Sequence, residues 1–365
     1  MSIDDHSMLL ACECKSWQHS AVAGENSGGG VTSGKPFVRV ARTGDIDDLL
    51  RLAMVGGDGL TNLPPNRAKL QAKLEASEEA IASPEAREAG AAILLMVEYK
   101  GRIVGTSCVF PKVGAEWPFY SYRLTRQAAL STAVGRRHSQ VLLNLVNDFD
   151  GECEVGGLFV DPDCRGMALG QLAARARYLF IASHRDWFGE KVIAELRGYQ
   201  DANGQSPVWN AIGRHFYDMD FSEADRTGAL KGNQFIADLG PRYPLYVSLL
   251  PRAAQDALDK PHDDGRPALQ MLLAEGFRSG EYVDIFDGGP TLTADIDVVR
   301  TIRKANRLTF EGAADRGETR ILAASKEGAN FRAAFGECND AGNLDRPTAE
   351  VLGLELGEDY IAVNC

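Results

Sequence analysis

The stretch Glu154–Arg177, EVGGLFVDPDCRGMALGQLAARAR, decides how this chain is read. Val155 to Val160 is an apolar run of strand length, Asp161-Pro162-Asp163 is a turn, and Arg165-Gly166-Met167-Ala168-Leu169-Gly170 opens a helix rich in alanine, leucine and arginine. A strand that becomes a helix across a basic, glycine-bearing loop leaves the first helical N–H groups without partners and presents the positive end of the helix dipole. Such an end suits a phosphate or pyrophosphate. Small residues at Gly166, Ala168 and Gly170 let phosphates approach the backbone, and Arg165 adds a charge of the right sign. Gly156-Gly157 in the strand predicts a bulge or a splayed edge whose N–H groups face a ligand.

The chain has 365 residues, enough for one large or two modest domains, with the 44% apolar and 25% charged composition of a soluble globular protein. A formal charge of −12 with no basic block argues against a nucleic-acid partner. No apolar run is long enough to span a bilayer and no secretory leader opens the sequence, so no membrane partner and a cytoplasmic location are expected. Seven scattered cysteines fit reduced thiols, and Cys12-Glu13-Cys14 with His19 lacks the second ligand pair of a metal site, so no metal is expected.

Residues 1–35 are polar and glycine- and serine-rich, which predicts a flexible extension. Order is expected from Pro36: a strand over Phe37–Arg42, a helix from Asp45, a glycine- and proline-rich loop over Gly56–Pro65, and a helix from Asn66 to about Ser83. Ala92–Tyr99 and Ile103–Phe110 read as a hairpin around Lys100-Gly101. Phe119–Leu124, Gln140–Val146, Glu154–Val160 and Lys191–Arg197 read as further strands. Pro207 opens a helix through Trp209, Ile212 and Phe216, and Pro267 another that ends at Gly276 before a strand over Tyr282–Phe286. The predicted fold class is α/β (α+β): a mixed β-sheet flanked by helices over residues 36–310, with a small β-rich C-terminal module over 311–365.

The Val160-Asp161-Pro162 turn followed by R-x-x-A-x-G resembles the acyl-coenzyme A site of the GNAT acyltransferases, whose loop is R/Q-x-x-G-x-G/A. Ala168 stands where that superfamily prefers glycine, and alanine is tolerable there only if the position is not left-handed. More of the chain, from Phe37 to about Arg303, resembles the arginine N-succinyltransferases. Blocks that carry the likeness are Gly59-Leu60-Thr61-Asn62-Leu63-Pro64, Pro118-Phe119-Tyr120-Ser121-Tyr122-Arg123, Leu158-Phe159-Val160-Asp161-Pro162-Asp163, Ala194-Glu195-Leu196-Arg197-Gly198, Ser206-Pro207-Val208-Trp209, Phe216-Tyr217-Asp218-Met219-Asp220-Phe221 and Asp284-Ile285-Phe286-Asp287-Gly288-Gly289-Pro290-Thr291-Leu292.

The resemblance implies succinyl transfer from succinyl-CoA to the α-amino group of L-arginine, with succinyl-CoA as co-substrate. It implies acyl-CoA contacts at Leu158 and Val160 on the strand, phosphate contacts at Arg165, Gly166, Ala168 and Gly170, and a proton-donating histidine at His262. Arg123 and Arg197 are candidates for the succinyl carboxylate. Glu195, Asp58 and Asp284 are candidates for the guanidinium, and Tyr282 is the proton donor to test after His262. Two other readings stay open: an acyltransferase for ornithine or with another acyl-CoA, and a non-catalytic partner subunit of a hetero-oligomer. A homo- or hetero-oligomer is compatible with each.

Overall fold

The structure, a computed structural model, describes residues 34–57, 63–221, 223–224, 227–228, 234–314, 317–324 and 328–365. The expected N-terminal extension, with Cys12, Cys14 and His19, and the loop residues Asp58 to Asn62 lie outside the described residues. In chain order the strands are β1 Phe37–Val40, β2 Ile93–Tyr99, β3 Arg102–Phe110, β4 Ser121–Ser131, β5 Arg136–Val146, β6 Cys153–Val160, β7 Lys191–Glu195, β8 Leu245–Tyr246, β9 Arg278–Asp284, β10 Pro290–Asp295, β11 Asn306–Thr309, β12 Glu318–Ala324, β13 Arg332–Cys338 and β14 Asp359–Asn364. The chain divides into two compact units. One comprises the residues up to Pro111, Val155–Phe188 and Val299–Cys365; the other comprises Lys112–Glu154 and Gly189–Val298.

In the first unit the strands run β11-β14-β12-β13-β1-β2-β3-β6. Five consecutive apolar residues of β2, Ile93 to Val97, are all buried, as a strand covered on both faces requires. Leu94 and Met96 pack with Leu49, Leu52 and Ala53 of the helix Ile46–Gly56 and with Leu70 and Leu74 of the helix Arg67–Ala82. The long helix Leu169–Ser183 packs against β2, β3, β12 and β13, and its Leu172, Ala173, Ala176, Leu179 and Phe180 are buried. The Asn66 side chain caps the helix after it, accepting from Lys69 N at 3.0 Å.

The β-rich segment expected from 311 onward does form strands, β12 to β14. They join the N-terminal strand: Val38 pairs with Ala333 and Arg39 with Arg332. A boundary near 310 is therefore not where contacts divide the chain, because β1 completes the sheet that β13 begins.

In the second unit the order is β7-β10-β9-β4-β5-β8, antiparallel throughout, and the first two residues of β6, Cys153 and Glu154, run parallel to Val192 and Ile193 of β7. Its core gathers on Trp209, whose ring stacks on Tyr217 at 5.5 Å and 14° and on Phe286 at 5.8 Å and 23°, while Nε1 donates to the Met219 carbonyl at 3.0 Å. The helix expected from Pro207 through Phe216 is two short ones, Pro207–Ala211 and Gly213–Tyr217. The break has a local cause: Gly213 lies so close to the Trp209 ring that a Cβ would overlap it, and Ile212 leaves helical geometry at φ −124°, ψ −71°. Replacing Trp209 with alanine should lower stability by roughly 3–5 kcal/mol, read as a fall in the denaturation midpoint by far-UV circular dichroism.

Candidate active site

In the first unit, β6 runs into the loop that the sequence singled out. Gly157 has φ +56°, and a Cβ there would lie 2.7 Å from Cys108 Sγ; at Gly105 of β3 a Cβ would lie 2.8 Å from the Phe159 carbonyl. Two glycines thus let β3 and β6 approach closely while Gly157 departs from strand geometry, as the paired glycines predict. Asp161 ends the strand. Its N–H donates to the Val104 carbonyl at 2.8 Å, and its carboxylate accepts from Asp163 N at 3.1 Å and from Arg51 Nη1 at 2.6 Å. Burial opposes ionisation there, but those donors hold the carboxyl below its ordinary range.

From Arg165 the chain turns into the helix within three residues. Gly166 takes φ +81°, Ala168 takes φ 54° and ψ 14°, and the helix begins at Leu169. Ala168 is therefore left-handed, against the condition set by its lack of glycine's freedom. The turn demands the conformation, and an alanine in it costs about 1 kcal/mol or more. A Cβ built on Gly166 or Gly170 would meet nothing within 4 Å, so the space before the helix N-terminus is open to a ligand. With Arg165 beside it, this loop has the donors and the room to hold a coenzyme A pyrophosphate. Leu158 and Val160 lie half-buried on the strand leading to it.

The second unit gathers a different set of groups. Register places Glu195 opposite Thr291, Thr291 opposite Tyr282, Tyr282 opposite Arg123 and Arg123 opposite Asn144. Directly paired residues share a face, so one polar row crosses β7, β10, β9, β4 and β5, on the face opposite Tyr122 and Val283 of the core. From Glu195 to Arg123 it spans about 14 Å, three strand spacings. Thr291 Oγ1 donates to Glu195 Oε1 at 3.1 Å, and Tyr282 OH donates to Asp148 Oδ2 at 2.9 Å, with Arg123 Nη1 at 3.5 Å from the same oxygen. Burial and this carboxylate push the Tyr282 hydroxyl up to about 12.

Asp284 and Glu154 share the Glu195 face. Burial raises the pKa of Glu195 well above the usual carboxylate range, and the charges of Asp284 and Glu154 raise it further. Asp284 is raised by burial and by Asp287, although Oδ1 accepts from Phe286 N and Asp287 N at 2.8 Å each. Asp287 itself is buried: Oδ2 accepts from Gly198 N at 2.7 Å and Oδ1 from Gly289 N at 2.9 Å. Gly198 and Gly289 have no room for a Cβ at this corner.

The same corner fixes His262. Its main-chain N–H donates to the Arg197 carbonyl at 2.8 Å, and Tyr199 N donates to the Lys260 carbonyl at 2.9 Å, so that beyond Leu196, whose N–H still donates to the Pro290 carbonyl at 3.1 Å, the chain pairs with the His262 loop. His262 Nδ1 accepts from Asp264 N at 3.3 Å, so a neutral ring carries its proton on Nε2. Asp263 is engaged with Arg266 at 2.8 Å. A cleft of about 300 Å³ beside the loop is lined by Lys260, Pro261, Arg266, Leu269 and Gln270.

Of the residues read from sequence, Glu195, Asp284, Arg123 and Tyr282 fall on one face, and His262 and Arg197 join through a main-chain bond. Leu158 to Gly170 form the separate loop of the first unit. Sequence reasoning missed Thr291, Asp148 and the anchoring role of Asp287. The repeated small residues of Asp287-Gly288-Gly289-Pro290 were the available signal for the last.

A model of the arginine N-succinyltransferase beta subunit family matches residues 36–301. The chain is 38% identical over 274 residues to the arginine N-succinyltransferase subunit beta of Pseudomonas aeruginosa, covering 75% of this chain and 81% of that one. It is 36% identical over 318 residues to an arginine N-succinyltransferase of Escherichia coli, covering 86% and 92%. The solved structure of arginine/ornithine succinyltransferase subunit AI from Pseudomonas aeruginosa superposes with a TM-score of 0.81 at 30% identity, covering 91% of this chain and 99% of that chain. Fold and loop together define a CoA-dependent acyltransferase. The chain belongs to the arginine N-succinyltransferase family.

Replacing Ala168 with glycine should raise stability by about 1 kcal/mol by removing the left-handed alanine, without weakening CoA binding. Gly170→Val should place its side chain in open space, leave folding nearly unchanged and weaken CoA binding more than Arg165→Lys does. Titration of CoA against the three variants, with thermal denaturation alongside, checks both.

Proposed function

We propose that this chain transfers the succinyl group of succinyl-CoA to the α-amino group of L-arginine. The observation that carries the reading is the polar row of the second unit, which offers cation-binding carboxylates at one end and Arg123 at the other, in a chain of this family. The neutral amine attacks the thioester carbonyl, the C–N bond forms as the C–S bond breaks, the surplus proton on nitrogen passes to solvent, and the departing thiolate takes a proton. His262 in its protonated, imidazolium form supplies that proton from Nε2–H and is left as the neutral ring. Arg165, Gly166, Ala168 and Gly170 hold the pyrophosphate, with Leu158 and Val160 along the acyl-CoA chain. Glu195, with Asp284 beside it, holds the guanidinium, and the succinyl carboxylate has two candidate partners, Arg123 at the far end of the row and Arg197 just beyond Glu195. Because acyl-CoA thioesters do not cross membranes unaided, the reaction belongs in the cytoplasm. No described helix is long and apolar enough to cross a membrane.

The test is thiol release from succinyl-CoA and acetyl-CoA with arginine, ornithine and lysine. Preference for succinyl-CoA with arginine supports the reading. Higher catalytic efficiency with ornithine would move the acceptor, in line with the name of the structural relative. His262→Ala should lower turnover by roughly 10²-fold or more with CoA affinity nearly unchanged.

Guanidinium binding favours the ionised form of Glu195 and Asp284, whose folded pKa values are raised, so arginine should bind with proton release and more tightly as pH rises. Calorimetry in two buffers of different ionisation enthalpy reads that release. The same shift has a stability sign. A carboxyl with a raised folded pKa contributes fully below its unfolded pKa and loses that contribution as pH rises. Glu195→Gln, which still accepts from Thr291, should therefore raise the thermal midpoint near pH 8 and leave it unchanged near pH 4, while losing arginine binding.

A further inference from the structure

The loop assigned above to the coenzyme pyrophosphate contains a strained position, Ala168, which is left-handed without being glycine. Such a residue keeps its conformation only where the surrounding structure determines it. Upstream, the turn is built on Asp161: Cys164 N donates to the Asp161 carbonyl at 2.9 Å, and Asp163 N donates to Oδ1 of its side chain at 3.1 Å. Whatever holds Asp161 therefore sets where the loop begins.

Arg51 does so from outside the loop. It lies on the helix Ile46–Gly56, and its guanidinium divides between two elements: Nη1 donates to Asp161 Oδ2 at 2.6 Å, and Nη2 donates to the Ile103 carbonyl of β3 at 2.5 Å. Asp48, one turn earlier on the helix, accepts from the Ile103 N–H at 3.4 Å and lies 3.5 Å from Arg51 Nε. Beside this grip the β2–β3 register skips Val104, since Glu98 pairs with Ile103 and Val97 with Gly105, and the Val104 carbonyl takes the Asp161 N–H at 2.8 Å. Helix, bulge and strand end meet at one residue. A planar guanidinium serves both acceptors at once, whereas a lysine ammonium is a single point charge. The helix itself does not depend on Arg51, because Leu49, Leu52 and Ala53 are fully buried in the apolar core. The ion pair fixes the end of β6 instead.

We propose that Arg51 is a positioning residue for acyl-CoA binding, acting through Asp161 to hold the Arg165–Gly170 loop in its binding conformation before the coenzyme arrives. The inference rests on the assignment of the pyrophosphate to that loop. A loop ordered in advance loses less freedom on binding, so the contribution shows in coenzyme affinity and not in turnover or acceptor affinity.

The test is CoA titration together with steady-state kinetics on the full-length chain. Arg51→Gln and Asp161→Asn each break the pair, and the asparagine still accepts from Asp163 N. Each should raise the CoA dissociation constant and the KM for succinyl-CoA about 10-fold, with kcat and the KM for the acceptor amine changed by no more than about two-fold. The double variant should bind CoA no more weakly than either single one, because both remove the same link. Arg51→Lys, which keeps the charge but not the fork, should fall between, and it decides the matter if Arg51→Gln does not fold. Gly170→Val separates this inference from the loop assignment beneath it. Weakened CoA binding in Gly170→Val with wild-type affinity in the Arg51 variants overturns the role of Arg51 and leaves the loop as the site, whereas wild-type affinity in all of them overturns the loop assignment and this inference with it. Additive losses in the double variant, or a fall in kcat as large as the loss of coenzyme affinity, also overturn the proposal.

Discussion

One side chain, Asp287, ties together the corner on which the second unit's chemistry rests. Its two oxygens take the N–H groups of Gly198 and Gly289, joining the segment after β7 to the turn between β9 and β10. Because Gly198 is held there, Arg197 presents its carbonyl to His262 N. Close packing at Gly198 and Gly289 leaves no slack, so the histidine loop and the Glu195–Thr291 pair are positioned by the same carboxylate. A buried carboxylate with paired hydrogen bonds is stable where an unpaired one would not be.

Around that corner the sheet gathers carboxyl groups on one face. Glu195 is kept from easy ionisation by burial and by the charges of Asp284 and Glu154, and Asp284 by burial and by Asp287. On the function proposed above, a guanidinium bound there would favour the ionised carboxylates, which would couple recognition of a cation to proton release. Tyr282 and Arg123, at the far end of the row, are satisfied through Asp148 and need no substrate to be ordered.

Much of this was legible in the sequence. The strand, turn and helix from Val155 to Ser183 follow from an apolar run, an Asp-Pro turn and an alanine-rich helical pattern. The 92–110 hairpin follows from its Lys100-Gly101 turn. What escaped has physical causes. The left-handed Ala168 is imposed by a three-residue turn, which no propensity records. The break at Ile212 comes from Gly213 meeting Trp209 through space. The row from Glu195 to Arg123 depends on register across four strands drawn from distant parts of the chain. Residues of the C-terminal segment read correctly as strands, but their place beside β1 is a long-range pairing that local pattern does not encode.

That pairing bears on how the chain is made. The edge of β1 that Ala333 and Arg332 occupy cannot be covered until nearly three hundred further residues have left the ribosome. Until then β1 shows an open row of N–H and C=O groups, and the helix Leu169–Ser183, though already synthesised, lacks β12, β13 and the Asn364 carbonyl that Arg175 reaches at 2.9 Å. Contacts of such sequence separation slow folding and expose strand edges to wrong partners. The first unit is thus completed late, once β12 to β14 have emerged, whereas the second, made of Lys112–Glu154 and Gly189–Val298, can gather its strands while the C-terminal ones are still being translated.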